Sequence, residues 1–201
     1  MSQFLDFKFF ISIVASLLVV FGYVPYFRDI FAKKTKPHLF TWLIWLITSA
    51  TATVGLLYGG GKFGSFSLVV GTIAVAIVLL LSFKYGTNDI TKSDKVAFLL
   101  AFFAVVAWWQ MKNPTLAILL ACVIDGIFGY YPTLRKSFID PWSETLSFWV
   151  VMAGTDLLAL FSNAQYNFLT VGYLATLFVA NLAVFFVCFF RRRVVLKTTQ
   201  A

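Results

Sequence analysis

A chain of 201 residues that is 61% hydrophobic and only 12% charged has too little polar side chain to coat a soluble globule. Its net charge of +8 would suit nucleic acid, yet the basic residues stand at the ends of apolar runs, where membrane topology accounts for them. What remains is an all-α integral membrane protein, because a helix satisfies its own backbone hydrogen bonds inside hydrocarbon about 30 Å thick.

The first apolar run predicts a helix over 9–25. It continues into Tyr-Val-Pro-Tyr without a small-residue cleavage site, so it reads as a retained helix rather than a signal peptide. A basic loop with Arg28, Lys33, Lys34 and Lys36 follows, and a second helix spans 39–58. The turn Gly59, Gly60, Gly61 and then Lys62 lead to a third helix over 65–83. A polar connector containing Lys84, Asn88, Asp89, Lys92, Asp94 and Lys95 precedes a short fourth helix, 96–110. The fifth, 114–132, opens on Pro114, a first-turn position where the missing amide hydrogen costs nothing. The sixth covers 145–161, and the seventh, 169–190, stops at Arg191, Arg192 and Arg193. Cys122 and Cys188 lie inside apolar runs as small hydrophobes, which implies neither a disulfide framework nor a metal site.

An internal duplication runs through this order. Gly22, Tyr23, Pro25, Arg28, Trp42 and Thr48 return as Gly129, Tyr130, Pro132, Arg135, Trp149 and Thr155 at one constant offset of 107 residues. The expected organisation is a three-helix bundle over 1–86, a linker helix over 87–113, and a second three-helix bundle with a basic tail over 114–201. A single linker crossing gives the two bundles the same orientation, as parallel repeats about an axis along the membrane normal. Of the 16 Lys and Arg residues, 13 fall in the loops after helices 1, 3 and 5 and in the tail. That asymmetry predicts seven transmembrane helices with the N-terminus outside and the C-terminus in the cytoplasm.

Seven helices arranged as two bundles about a linker, each bundle with a proline near the end of its first helix, resemble the PQ-loop and SWEET superfamily of small transporters. Tyr26 and Thr133 stand where that family carries its Gln. The resemblance covers nearly the whole chain and implies an alternating-access carrier; the family includes sugar facilitators, proton-coupled amino-acid exporters and members with receptor or lipid-related roles. On physical grounds, Pro25 and Pro132, each three residues after a glycine, Gly22 and Gly129, read either as helix terminators or as paired hinges of a gate.

Two acids lie within apolar runs, Asp125 and Asp156. Each is 11 residues into its helix, about 16 Å deep, near the midplane. A carboxylate there costs at least roughly 2.5 to 3.5 kcal/mol on insertion scales, which makes it a functional candidate. Asn181, Thr48 and Ser49 share this depth, with Trp42, Trp45 and Trp149 nearer the cytoplasmic side. Each also has a plainer reading. Thr48 and Ser49 could back-bond to their own helix, Asn181 could join helices, the tryptophans could be interfacial anchors, and the acids could be protonated structural groups. Neither acid is duplicated, since Leu18 and Ser49 occupy the matching positions. That asymmetry fits a cationic solute or a proton-binding acid.

The expected function is transport of a small polar solute (amino acid, amine, sugar or similar) through a midplane site, with proton coupling through Asp125 or Asp156 an option. The alternatives are a ligand-binding receptor or scaffold, or a lipid scramblase. Enzymatic chemistry is not expected: His38, the sole histidine, reads as an interfacial residue, and no phosphate-cradling loop, metal cluster or cofactor motif occurs. The expected partners are the lipid bilayer and the solute, without nucleic acid and with a homo-oligomer left open. The expected location is a bacterial inner (plasma) membrane.

Overall fold

The computed structural model describes residues 2–87, 90–93, 95, 96, 98, 99, 102, 103, 106 and 113–196, with side chains from Leu5 onward. The elements are α1 (Ser2–Phe31), α2 (Leu39–Tyr58), α3 (Ser65–Tyr85), α4 (Pro114–Val123), a π-helical segment (Ile124–Gly129), α5 (Tyr131–Ile139), α6 (Leu146–Ser162) and α7 (Phe168–Arg191). Among the described residues there is no strand. Five stretches are long and apolar enough to cross a membrane: Leu5–Phe31, Leu39–Tyr58, Lys62–Tyr85, Pro114–Ile139 and Phe168–Arg191. Leu146–Ser162 is apolar but, at 17 residues, spans only about 26 Å. This is the build of an all-helical integral membrane protein.

The face pattern of α1 shows the solvent it is made for. Phe10, Leu17, Phe21 and Val24 form a helical stripe that points out of the molecule, while Ser12, Ala15, Val19, Tyr23, Tyr26 and Ile30 are buried on the opposite side. Large apolar side chains are exposed on the other long helices as well, including Val54 and Leu57 on α2, Leu80 and Phe83 on α3, and Val179 and Phe186 on α7. In water such a surface would drive aggregation; in hydrocarbon it is the wetted face.

Two helix boundaries differ from those expected. The first helix does not end at Pro25 but runs through it to Phe31. The carbonyl of Phe21 loses its partner there, yet Tyr26 and Ile30 beyond the proline are buried in the main aromatic core, and that packing offsets the lost bond. The fifth predicted helix is not continuous. It is α-helical to Val123, π-helical from Ile124 to Gly129, bends at Tyr130, and resumes with Pro132 in the first turn of α5. The expected linker helix falls largely outside the described residues, although Val96, Phe98, Leu99, Phe102, Phe103 and Val106 are helical and Phe98 stacks on Phe40 at 5.0 Å between centroids. His38 is buried rather than interfacial.

The helices pack as a closed ring. α3 lies against both α1 and α2; α7 lies against both α6 and the broken rod formed by α4, the π segment and α5; α1 packs on α6, and α2 on the broken rod. Weaker contacts, α2 with α7 and α3 with α6, cross the ring. Close approach at the ring joints depends on missing side chains. A Cβ on Gly22 would stand 3.0 Å from Val151 Cγ1 of α6, and one on Gly126 would stand 3.3 Å from Thr176 Cγ2 of α7.

Candidate functional site

The ring encloses a cavity with about 610 Å³ of atom-free space, part of it open to the outside. Every helix of the ring reaches it. The polar groups on its wall are Asp156 and Thr155 from α6, Asn181 and Tyr173 from α7, Ser49 and Trp45 from α2, Ser67 and Thr72 from α3, Tyr23 from α1 and Tyr130 at the bend. These groups come together because they occupy the inward positions of helices whose outward positions are apolar.

Asp156 is 8% exposed, and that exposure is to the cavity. One carboxylate oxygen, Oδ2, accepts a hydrogen bond from Asn181 Nδ2 at 2.7 Å, and Asn181 Oδ1 accepts one from the Tyr130 hydroxyl at 2.8 Å. Among the described residues the other oxygen has no partner. The chain Tyr130, Asn181, Asp156 therefore sets the carboxylate's orientation and leaves one oxygen for whatever enters. Two further wall groups are buried without a hydrogen-bond partner, Thr155 Oγ1 and Trp45 Nε1. Buried polar atoms are nearly always paired, and these two exceptions belong to residues of the wall, the Trp45 nitrogen lying against Gly129.

Asp125 is arranged differently. It is fully buried and does not line the cavity. Thr48 donates to Oδ1 at 2.7 Å and the Tyr173 hydroxyl donates to Oδ2, so both oxygens are occupied. This cluster ties α2, the π segment and α7 together behind the wall. The π geometry is what allows it: Tyr130 N donates to the Asp125 carbonyl at 3.0 Å, and the space over Gly129 holds Asp125 Oδ1 and Trp45 Nε1, each 3.0 Å from where a Cβ would be.

At the end carrying the two prolines, the cavity is floored by rings. Tyr23 meets Phe148 at 5.0 Å, Phe148 meets Trp149 at 5.1 Å, Trp149 meets Trp45 at 6.0 Å and Trp45 meets Tyr130 at 4.7 Å between centroids. Beneath the rings lies a polar clasp. Lys136 is ion-paired with Glu144, both nearly buried, and its ammonium also donates to the Lys36 carbonyl at 2.7 Å. Trp149 Nε1 donates to Glu144 Oε2 at 3.2 Å. Thr145 donates to Asp29 Oδ2 at 3.0 Å and shares a 2.7 Å hydrogen bond with Thr35. The clasp thus joins the segment after α1 to the segment before α6. At the opposite end the joins are mostly to backbone: Asn167 Nδ2 to the Gly59 carbonyl at 2.9 Å, Ala164 N to the Gly61 carbonyl at 3.1 Å, and Lys8 to the Asn163 carbonyl.

The expected midplane set therefore divides. Asp156, Asn181, Ser49 and Trp149 line the cavity. Asp125 and Thr48 form the separate buried cluster, and the Ile44 carbonyl of its own helix, 2.9 Å away, is a second acceptor within reach of the single Thr48 hydroxyl proton. Trp42 is buried against Tyr26 and Tyr23, behind the floor. Pro25, Pro132, Gly22 and Gly129 stand outside the wall. Sequence reasoning assigned no site role to Tyr23, Tyr130, Tyr173 or Thr155. Three of these belong to the repeated skeleton, so the signal was present as Gly-Tyr and the final Thr; Tyr173 carried none. Among the described residues no group of His, Cys, Asp and Glu could hold a metal ion.

The arrangement defines an integral membrane protein with a cavity inside a helical ring, its largely apolar wall set with a few polar groups. No family model, curated protein or solved structure matches the chain.

Proposed function

We propose that this protein is a secondary transporter or facilitator that carries a small polar solute across a membrane by alternating access through the Asp156 cavity. The observation that carries this reading is the cavity itself: it lies within a ring of helices, holds a carboxylate with one free oxygen, and has a packed aromatic floor at the proline end. A site reachable from either side by rocking of two bundles needs these parts.

The organisation that goes with it is seven transmembrane helices in two parallel three-helix repeats, 1–86 and 114–201, joined by a linker over 87–113. The cyclic packing supports it, since α1, α3 and α2 meet one another in the order in which the broken rod, α7 and α6 do, and each half's first helix packs on the other half's second. The resemblance to the PQ-loop and SWEET superfamily points the same way. The excess of Lys and Arg at the proline end supports the reading that this end is cytoplasmic and the N-terminus outside, in a membrane read as a bacterial inner membrane. The clasped end is then the cytoplasmic gate, with Pro25, Pro132, Gly22 and Gly129 beside it.

Uptake into proteoliposomes tests the reading. Wild-type protein is expected to carry at least one solute from a panel of sugars, amino acids, amines and vitamins, and Asp156→Asn to reduce that flux by about tenfold or more. Solute binding without flux in the wild type would sink the transporter reading and leave a receptor.

A further inference from the structure

We infer that the solute is a small organic monocation, a protonated amine or a quaternary ammonium. This rests on the reading of the cavity as a solute site and names the chemistry that the site selects.

The argument starts from charge. Asp156 presents one unpaired carboxylate oxygen to the cavity, and no Lys, Arg or His stands among the described residues of the wall. An anionic solute would meet like charge. A zwitterion would satisfy Asp156 with its ammonium but bury its own carboxylate with no cation to receive it, which is costly away from water. A neutral solute is matched only by the protonated acid. A monocation is the charge type that pairs with the ionised carboxylate and leaves no unpaired ion.

The rings make the second part. Tyr23, Phe148, Trp149, Trp45 and Tyr130 form an unbroken series with neighbouring centroids 4.7–6.0 Å apart, and all five border the same cavity as Asp156. Aromatic faces attract a desolvated ammonium, and they do so whether or not it carries hydrogens.

The test uses the intact purified protein in detergent at neutral pH with three probes of nearly one shape: choline, dimethylbutanol, in which carbon replaces the nitrogen, and betaine, in which a carboxylate replaces the hydroxymethyl group. Calorimetric titration is expected to show choline binding at least about tenfold tighter than either of the others, a difference of about 1.4 kcal/mol or more. Asp156→Asn should abolish the preference for choline over dimethylbutanol while leaving the unfolding midpoint near that of the wild type. No choline binding, or equal binding of the neutral isostere, or tighter binding of betaine, would overturn the inference. The wild-type comparison stands even if the variant fails to fold. Uptake of labelled choline then separates the two readings: choline bound but not carried removes the transport function and keeps the cation, whereas flux of a neutral or zwitterionic solute that choline does not inhibit keeps transport and removes the cation.

Discussion

The two copies of the repeated skeleton, Gly22 to Trp42 and Gly129 to Trp149, share their marked residues but not their backbone. In the first, α1 passes through Gly22 and Pro25 as one helix of 30 residues. In the second, the chain is π-helical up to Gly129, bends at Tyr130 and restarts with Pro132 in the opening turn of α5. The same proline spacing is compatible with both, so proline does not decide the break. What differs is the turn before it. Position 125 is an acid whose two oxygens are held by Thr48 and Tyr173, and its counterpart at position 18 is Leu. The lesson is that a polar anchor from neighbouring helices, rather than the proline, opens the helix and adds the extra residue to the turn.

The largest expected effect comes from removing that anchor. Asp125→Ala takes the carboxylate acceptor from the buried Tyr173 hydroxyl, leaves Thr48 with its Ile44 carbonyl alone, and empties the space the carboxylate filled; an unsatisfied buried group by itself costs about 1–3 kcal/mol. The unfolding midpoint in detergent is expected to fall by the equivalent of about 3 kcal/mol, with a loss of selectivity in uptake secondary to that. A variant as stable as the wild type would mean that the π segment does not depend on Asp125.

A middle-sized effect separates the glycines. In Gly129→Ala the new methyl would meet a doubly bonded carboxylate oxygen and an indole nitrogen, both at 3.0 Å, and neither can move without breaking the cluster or the floor. In Gly22→Ala it would press on the terminal methyl of Met152, which can swing, and on Val151. The first substitution is expected to cost about 1–3 kcal/mol and the second less. Equal midpoints for the two variants would dissolve the contrast between the copies at this position.

The smallest effect is at the repeated threonines. Thr48→Val removes a donor to Asp125 and should cost about 1 kcal/mol or somewhat more. Thr155→Val removes a hydroxyl that has no protein partner, so stability should be unchanged or slightly raised. Thermal unfolding run on both variants reads the two outcomes.

Much of this was legible in the residue order. Apolar runs near membrane length, separated by short polar turns, announce helices in hydrocarbon whatever their partners, because the backbone has no other way to be satisfied there. Asp156, Asn181, Ser49 and Trp149 could be found by depth alone, since polarity at the midplane is rare. Depth could not separate Asp156 from Asp125. The two acids are equally deep along their helices, and only the rotation of each helix against its neighbours turns one toward the cavity and the other into a pair of hydroxyls. Nor could the helix boundary at Pro25 be read locally, because what carries α1 past it is the burial of Tyr26 and Ile30 against residues far along the chain.

The sequence by itself determined that this is an all-helical membrane protein, that its skeleton at Gly22 returns at Gly129, and that its rare polar groups collect near one depth. Only the tertiary structure decided which of them meet. Contact across a ring depends on azimuth and on the close approach of backbones, and an extra residue in a π turn resets the azimuth of everything after it. One such turn stands directly before Tyr130, whose hydroxyl meets Asn181, and Asn181 in turn holds the Asp156 carboxylate at the cavity wall.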